Sequence, residues 1–249
     1  MNAVTDYARQ FGILANLQVR AMRTDFLVIM MIQMSFSLGL VLGLGYLIPN
    51  ISGEAATYLT IGAATQSFVT VGLVMLPNFL SDAKDQGRLD YFLTMPIGRE
   101  AYVFSMLAVT AVLALPGIIV TLVLGWARYG IGFNIDPAVI IVSLLAMLSL
   151  SGVGVTIAML SPQQQVTNSL TNLIIFYVLF FAPVLIPTSQ LPWVLQKTAI
   201  VMPPTYAVDG MRATLTNLPG THLATSLLAM LGFSVASIAL TAVMIRRQG

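Results

Sequence analysis

Apolar residues run through this chain in long blocks, with short polar stretches between them. Six blocks are long enough to cross a hydrocarbon layer about 30 Å thick, which takes about 20 residues of helix. They fall near 26–48, 58–80, 101–125, 137–160, 169–187 and 223–245. The fifth starts polar, around Thr167, Asn168, Thr171 and Asn172, and ends on Pro183 and Pro187. Pro116-Gly117 inside the third predicts a kink. Ahead of the first block, residues 2–24 alternate at helical spacing. Asn2, Asp6, Arg9, Asn16, Arg20 and Arg23 form one stripe, with Val4, Tyr7, Phe11, Leu14 and Leu17 mostly opposite. A basic, moderately apolar helix of this kind lies in the plane of a membrane surface. The alternative is a polar tail in water.

Two connecting stretches stand out. The first, 81–100, holds seven of the chain's twenty acidic and basic side chains. Within it Leu89, Phe92 and Leu93 share one face of a helical turn. Asp82, Lys84, Asp85, Arg88 and Asp90 occupy most of the rest, and Pro96 stops the helix. A short helix showing an apolar knob to water suits the grip of a soluble protein; the plainer reading is a solvated connector. The second stretch, about 183–222, carries Pro183, Pro187, Pro192, Pro203, Pro204 and Pro219, with apolar runs too short to span. A pair of short re-entrant or interfacial helices fits there. Asp209 and Arg212 are spaced i, i+3 on the second of them, close enough to pair.

Composition makes the membrane assignment firm. Of the 249 residues 57% are apolar and 8% charged, where soluble domains carry about 25% charged residues. Lysine and arginine give the orientation, because they concentrate on the cytosolic side. With the N-terminus inside, Arg9, Arg20, Arg23, Lys84, Arg88, Arg99, Arg246 and Arg247 are inner, against Arg128, Lys197 and Arg212 outside. Both ends and the 81–100 stretch are therefore expected in the cytosol. The first 25 residues lack the compact apolar core of a cleavable signal.

The chemistry the chain omits is as informative. There is no cysteine and a single histidine, His222, so neither thiol catalysis nor a histidine–cysteine metal cluster is available. No charged residue lies deep inside an apolar block, which argues against an ion-coupled carrier. No G-x-x-x-x-G-K-[ST] phosphate loop occurs, and no nucleophile stands with a base. A net charge of +2 gives no reason to expect nucleic acid. The candidates for a permeation path are uncharged polar residues of the spans: Gln33, Thr65, Gln66, Thr70, Asn172 and Tyr177. Helix-to-helix glue is the plainer role for any one of them. Gly39 and Gly43, with Gly45 beyond, form a small-xxx-small face that suits tight packing within the chain, or a subunit contact.

Two local patterns are similar to a known family, the membrane subunits of type-2 ATP-binding-cassette exporters, which serve bacterial drug, antibiotic and polysaccharide export. GRLDYFLTMPIGREAYVFSM, 87–106, resembles the family's cytosolic coupling segment through Gly87, Leu89, Pro96, Ile97 and Arg99, with Phe92 at the second apolar position. Asp85 stands where the family often has glutamate. LPWVLQKTAIVMPPTYAVDGMRATL, 191–215, resembles the stretch before the family's last span through Pro192, Trp193, Pro204, Tyr206, Asp209 and Arg212. Pro203-Pro204 replaces the family's common Asn-Pro.

The resemblance implies an all-α membrane protein of six transmembrane helices. An N-terminal interfacial helix, a cytosolic coupling helix and outer re-entrant helices before the last span complete it. It implies one permease domain over 1–249: an elbow helix at 1–25, five spans over 26–187 with the coupling segment at 81–100, the re-entrant segment at 188–222, and the last span and tail at 223–249. It further implies a non-catalytic, multi-pass subunit of the bacterial inner (plasma) membrane, in contact with lipid. The subunit pairs with a second permease chain, and a separate ATPase subunit carries the ATP and Mg. Asp85, Gly87, Arg88, Leu89, Phe92, Leu93 and Pro96 become the coupling residues. Short outer loops and few aromatic residues favour small amphipathic or hydrophobic cargo; polysaccharide or glycolipid cargo is the alternative.

Overall fold

A computed structural model of the chain describes residues 3–21, 23–48, 51–88, 99–182, 184–185, 192–216, 218 and 221–247. Every regular element among them is a helix. The predicted knob of Leu89, Phe92, Leu93 and Pro96 lies outside the described residues, as do Pro183, Pro187 and Pro219.

Helix α1, Ala3–Ala21, is the predicted amphipathic segment. Leu14 is buried against Leu80, Tyr102 and Met106, while Ile13 and Leu17 are exposed. Helix α2, Arg23–Leu38, continues through a π-helical turn, Gly39–Leu44, into the short Gly45–Leu47. Helix α3, Gly53–Thr70, starts on a Ser52 cap whose hydroxyl accepts from Ala55 N. A second π turn, Val71–Met75, joins it to α4, Leu76–Asp85. Then come α5, Arg99–Tyr129, and α6, Ala138–Leu160. Helix α7 is Gln164–Phe181, followed by the short α8, Trp193–Ala199, then α9, Pro203–Leu215, and α10, Leu223–Arg247.

Five helical stretches are long and apolar enough to cross a bilayer: Phe26–Leu47, Gly53–Asp85, Phe104–Tyr129, Ala138–Leu160 and Leu223–Leu240. The block expected at 169–187 forms a helix too, α7, but one whose first two turns are polar, and it is not among these five. Its helix starts earlier than the apolar block because the polar turns at 164–168 join it. The third block runs through Pro116 as one uninterrupted helix.

The second stretch is the axis of the bundle. In Gly53–Asp85 83% of the apolar window is buried, against 22–44% in the other four. Helices α2, α5, α6 and α9 all pack on α3. Glycines let them approach: a Cβ on Gly125 would fall 2.3 Å from the Thr60 side chain, and one on Gly154 would fall 2.2 Å from the Gly72 carbonyl oxygen. Gly39 and Gly43 behave otherwise. Both are exposed with nothing within 4 Å of a built Cβ, so the expected tight packing within the chain is found only at Gly45, where the Tyr129 side chain leaves no room for a Cβ. Their surface is left open by α2, whose Leu27, Met31 and Ile32 are exposed as well.

Candidate functional site

Three zones lie along this axis. At the end of α4, Gln86 N and Gly87 N donate back to Asp82 O and Lys84 O, both at 3.0 Å. Gly87 then takes φ +67°, a left-handed conformation that favours glycine and ends the helix. The charges before it bond back to the protein, although Asp85 itself stays exposed. Asp82 accepts from Arg88 and, at 2.7 Å, from Gln86 Nε2. Lys84 Nζ donates to Ser161 O at 2.9 Å. Asp85 Oδ2 accepts from the backbone N–H of Gln164 at 2.6 Å. Asp85 therefore touches the start of α7, and Gln86, Gly87 and Arg88 form the exposed rim.

Further up, Thr167 Oγ1 donates to Ser81 Oγ at 2.9 Å, and Asn78 Nδ2 to Thr171 Oγ1 at 3.1 Å. Helix α1 joins this end through Gln18, whose Nε2 donates to Ser105 Oγ at 3.0 Å. Sequence reading did not single out Ser81 or Asn78, and it noted Thr167 and Thr171 only as the polar start of the fifth block. Their signal was present as two polar stripes at i, i+3, i+7: Asn78, Ser81, Asp85 and Gln164, Thr167, Thr171.

The middle zone holds the polar residues of the spans. Gln33, Thr65 and Gln66 are fully buried, and Thr70 is half-buried. Thr65 Oγ1 is satisfied by Ile61 O at 2.8 Å. Among the described residues Gln66 has no hydrogen-bond partner at either amide atom, and Gln33 Nε2 and Thr70 Oγ1 also have none. Burial without a partner costs about 1–3 kcal/mol per group. Gln33 and Ser67 meet over Gly117, where a Cβ would fall 3.4 Å and 2.5 Å from them. Asn172 and Tyr177 are instead on the exposed face of α7. Thus four of the six path candidates lie inside the bundle and two face outward.

The third zone surrounds Arg212 on α9, which is 1% exposed. Its Nη2 donates to Val184 O at 2.7 Å, its Nη1 lies 3.3 Å from Asp209 Oδ1, and its guanidinium sits 4.2 Å from the centre of the Tyr58 ring. Burial pushes the Asp209 carboxyl above its ordinary value, against the pull of Arg212. Burial lowers the Arg212 value, opposed by Asp209. The pairing of Asp209 with Arg212 was legible as i, i+3; Tyr58 and Val184 were not, since both are remote in sequence. The Val184 carbonyl also presses on α3, lying 2.1 Å from a Cβ built on Gly62. Around this clasp Pro204 is buried, Tyr206 donates to Ile200 O at 2.8 Å, and Pro192 O accepts the first amides of α8. Trp193 is exposed, with Lys197 Nζ 5.0 Å from its ring centre.

These zones amount to a polar rim, a buried polar column and a clasp at the other end, strung on one helix. A family model described as ABC-2 type transporter matches residues 9–216. No curated protein matches the chain.

Proposed function

The chain belongs to the ABC-2 type transporter family, and from that premise we propose an exporter permease driven by a separate ATPase subunit. Its cargo is small amphipathic or hydrophobic compounds, moved outward across the inner membrane. The observation that carries the reading is the continuous helical stretch Gly53–Asp85. Its 33 residues rise about 50 Å, against a hydrocarbon core of about 30 Å. One end must stand clear of the lipid, and it ends on the rim of Gln86, Gly87 and Arg88 that leads into the predicted knob. Lysine and arginine placement puts this rim in the cytosol. An ATPase subunit seated on Leu89, Phe92 and Leu93 would push directly on the axis of the bundle.

Two chains complete the route. The open faces of α2, with bare Gly39 and Gly43, and of α7, with Leu173, Phe176 and Tyr177, suit a second copy of the chain. In that arrangement Asn172 and Tyr177 face the gap between copies. The unpartnered Gln66 and Gln33 amides form the polar column behind it, available to cargo or water once helices part. The outer clasp at Arg212 closes the far end. A groove of about 520 Å³ between α1, α2 and α5, walled by residues such as Val19, Phe26 and Val112, is apolar enough for a lipid chain.

Replacing Leu89, Phe92 and Leu93 with Asp tests the premise. The expected result is a chain that inserts normally and no longer co-purifies with its ATPase; unchanged co-purification removes the coupling role from those residues. ATP-dependent flux of a hydrophobic dye in vesicles of the complex tests the cargo class. Flux of a lipid-linked sugar in its place overturns the small-molecule assignment, and ion-driven flux without the ATPase overturns the permease reading.

A further inference from the structure

The polar contacts between α4 and α7 form a ladder. Asn78 reaches Thr171, Ser81 meets Thr167, and Asp85 caps Gln164, at 3.1, 2.9 and 2.6 Å. The rungs rise at i, i+3, i+7 on one helix and descend at i, i−4, i−7 on the other, so the two stripes face each other along antiparallel helices. Ser81 and Thr167 are both fully buried. In lipid, apolar contact alone holds helix register weakly, because lipid tails replace such contacts, whereas directional hydrogen bonds fix it. Helix α7 begins at Gln163, whose own side chain makes no capping bond. Asp85 supplies that cap from another helix, placing a carboxylate where the exposed amides and the helix dipole favour one. Lys84 adds a tie to Ser161, the residue that ends α6.

We propose that α4 and α7 move as one body, with Asp85 as the positioning residue that ties the ATPase-facing rim to α7. The acidic residue of the coupling segment then serves the permease itself rather than the surface of the ATPase. Displacement of the rim carries Asn172 and Tyr177 with it, and the ladder prevents α7 from slipping against the axis. This inference rests on the permease reading above.

The test uses the complex with its ATPase in lipid nanodiscs. The chain has no cysteine, so Tyr177→Cys reports on α7 through its rate of reaction with a membrane-impermeant maleimide. In the reporter chain that rate is expected to change severalfold between the nucleotide-free state and ATP–Mg–vanadate. Asn78→Leu with Thr167→Val is expected to leave ATPase co-purification and hydrolysis within twofold while cutting the nucleotide response below 1.5-fold. Asp85→Asn is expected to do the same to the response, and Asp85→Glu to restore it. A Ser81→Cys, Thr167→Cys disulfide, formed before the maleimide is added to the reporter thiol at position 177, is expected to preserve the response. The proposal is overturned if the ladder variants keep the full response, or if the disulfide abolishes it, since sliding helices would then be required. Loss of ATPase binding on Asp85→Asn alone, with the response per bound complex intact, also overturns it. A parent chain that binds no ATPase would instead sink the permease reading itself.

Discussion

Removing the buried guanidinium at the Arg212 clasp is the sharpest test of the packing argument. Arg212→Met keeps the length and apolar stem while deleting the charge and the donors. The substitution strands the Val184 carbonyl, now held at 2.7 Å, at about 1–3 kcal/mol for an unmet buried acceptor. It also ends the 4.2 Å stacking on Tyr58, worth about 2 kcal/mol where water is excluded. Against these losses stands relief from burying a cation, several kcal/mol in principle. The Asp209 contribution is small, because its side chain keeps 36% exposure and exposed pairs give about 0–1 kcal/mol. The losses come to about 3–5 kcal/mol and the relief offsets part of them, so the net expectation is a loss of about 1–2 kcal/mol for Arg212→Met, and about 1 kcal/mol or less for Asp209→Asn. Arg212→Lys falls between, since it keeps charge and loses the fork. Reversible unfolding in mixed micelles by SDS, followed by the fluorescence of Trp126 and Trp193, gives all three and the double variant. If Arg212→Met costs under about 0.5 kcal/mol, the value of an ordinary surface change, the clasp does not exist. If the coupling between the two sites equals the whole loss, the ion pair dominates and the carbonyl argument fails.

Other expectations follow from the same geometry. Gly62→Ala drives a methyl group onto the Val184 backbone and is expected to cost about 1–3 kcal/mol, whereas Gly43→Ala, with nothing within 4 Å, should leave the unfolding midpoint unchanged. Gly87→Ala forces a left-handed residue at about 1–2 kcal/mol, so proteolysis next to the rim should accelerate. Gln66→Leu removes an unpartnered buried amide and is expected to raise stability while lowering cargo-stimulated ATP hydrolysis; unaltered stimulation takes Gln66 out of the path. The Asp209 carboxyl is raised in the folded protein, so the fold binds its proton more tightly than the unfolded chain does. Stability from this group is therefore greatest below the usual carboxylate range and declines as pH rises through the raised value, a slope that Asp209→Asn should abolish in pH-dependent unfolding.

The spans were legible because the bilayer imposes a length, and five blocks of that length became helices of that length. The amphipathic first helix and the two short helices ahead of α10 followed from period and proline in the same way. Partners distant in the chain were not legible. Nothing about Val184 or Tyr58 marks either as a partner of Arg212, since the chain brings them together only after α9 folds back on α3. Asp85 entered as a coupling residue through the family resemblance, and its bond to the Gln164 amide was not legible because that partner is remote in sequence. Gly39 and Gly43 form a small-residue face to which the chain itself supplies no close neighbour, which leaves the subunit contact as its reading.

The enclosure of α3 has a consequence for how the protein is made. Ribosomes deliver the chain from its N-terminus, so this helix, with Gln66, Thr65, Ser67 and Thr60 along it, enters the bilayer before α5, α6 and α9 have been synthesised. For that interval its amides and hydroxyls meet acyl chains in place of neighbours. The nascent protein thus passes through its least comfortable state midway, and a stall in translation between Asp85 and Ala138 would leave the most polar span stranded at the point where insertases and quality-control proteases make their choice.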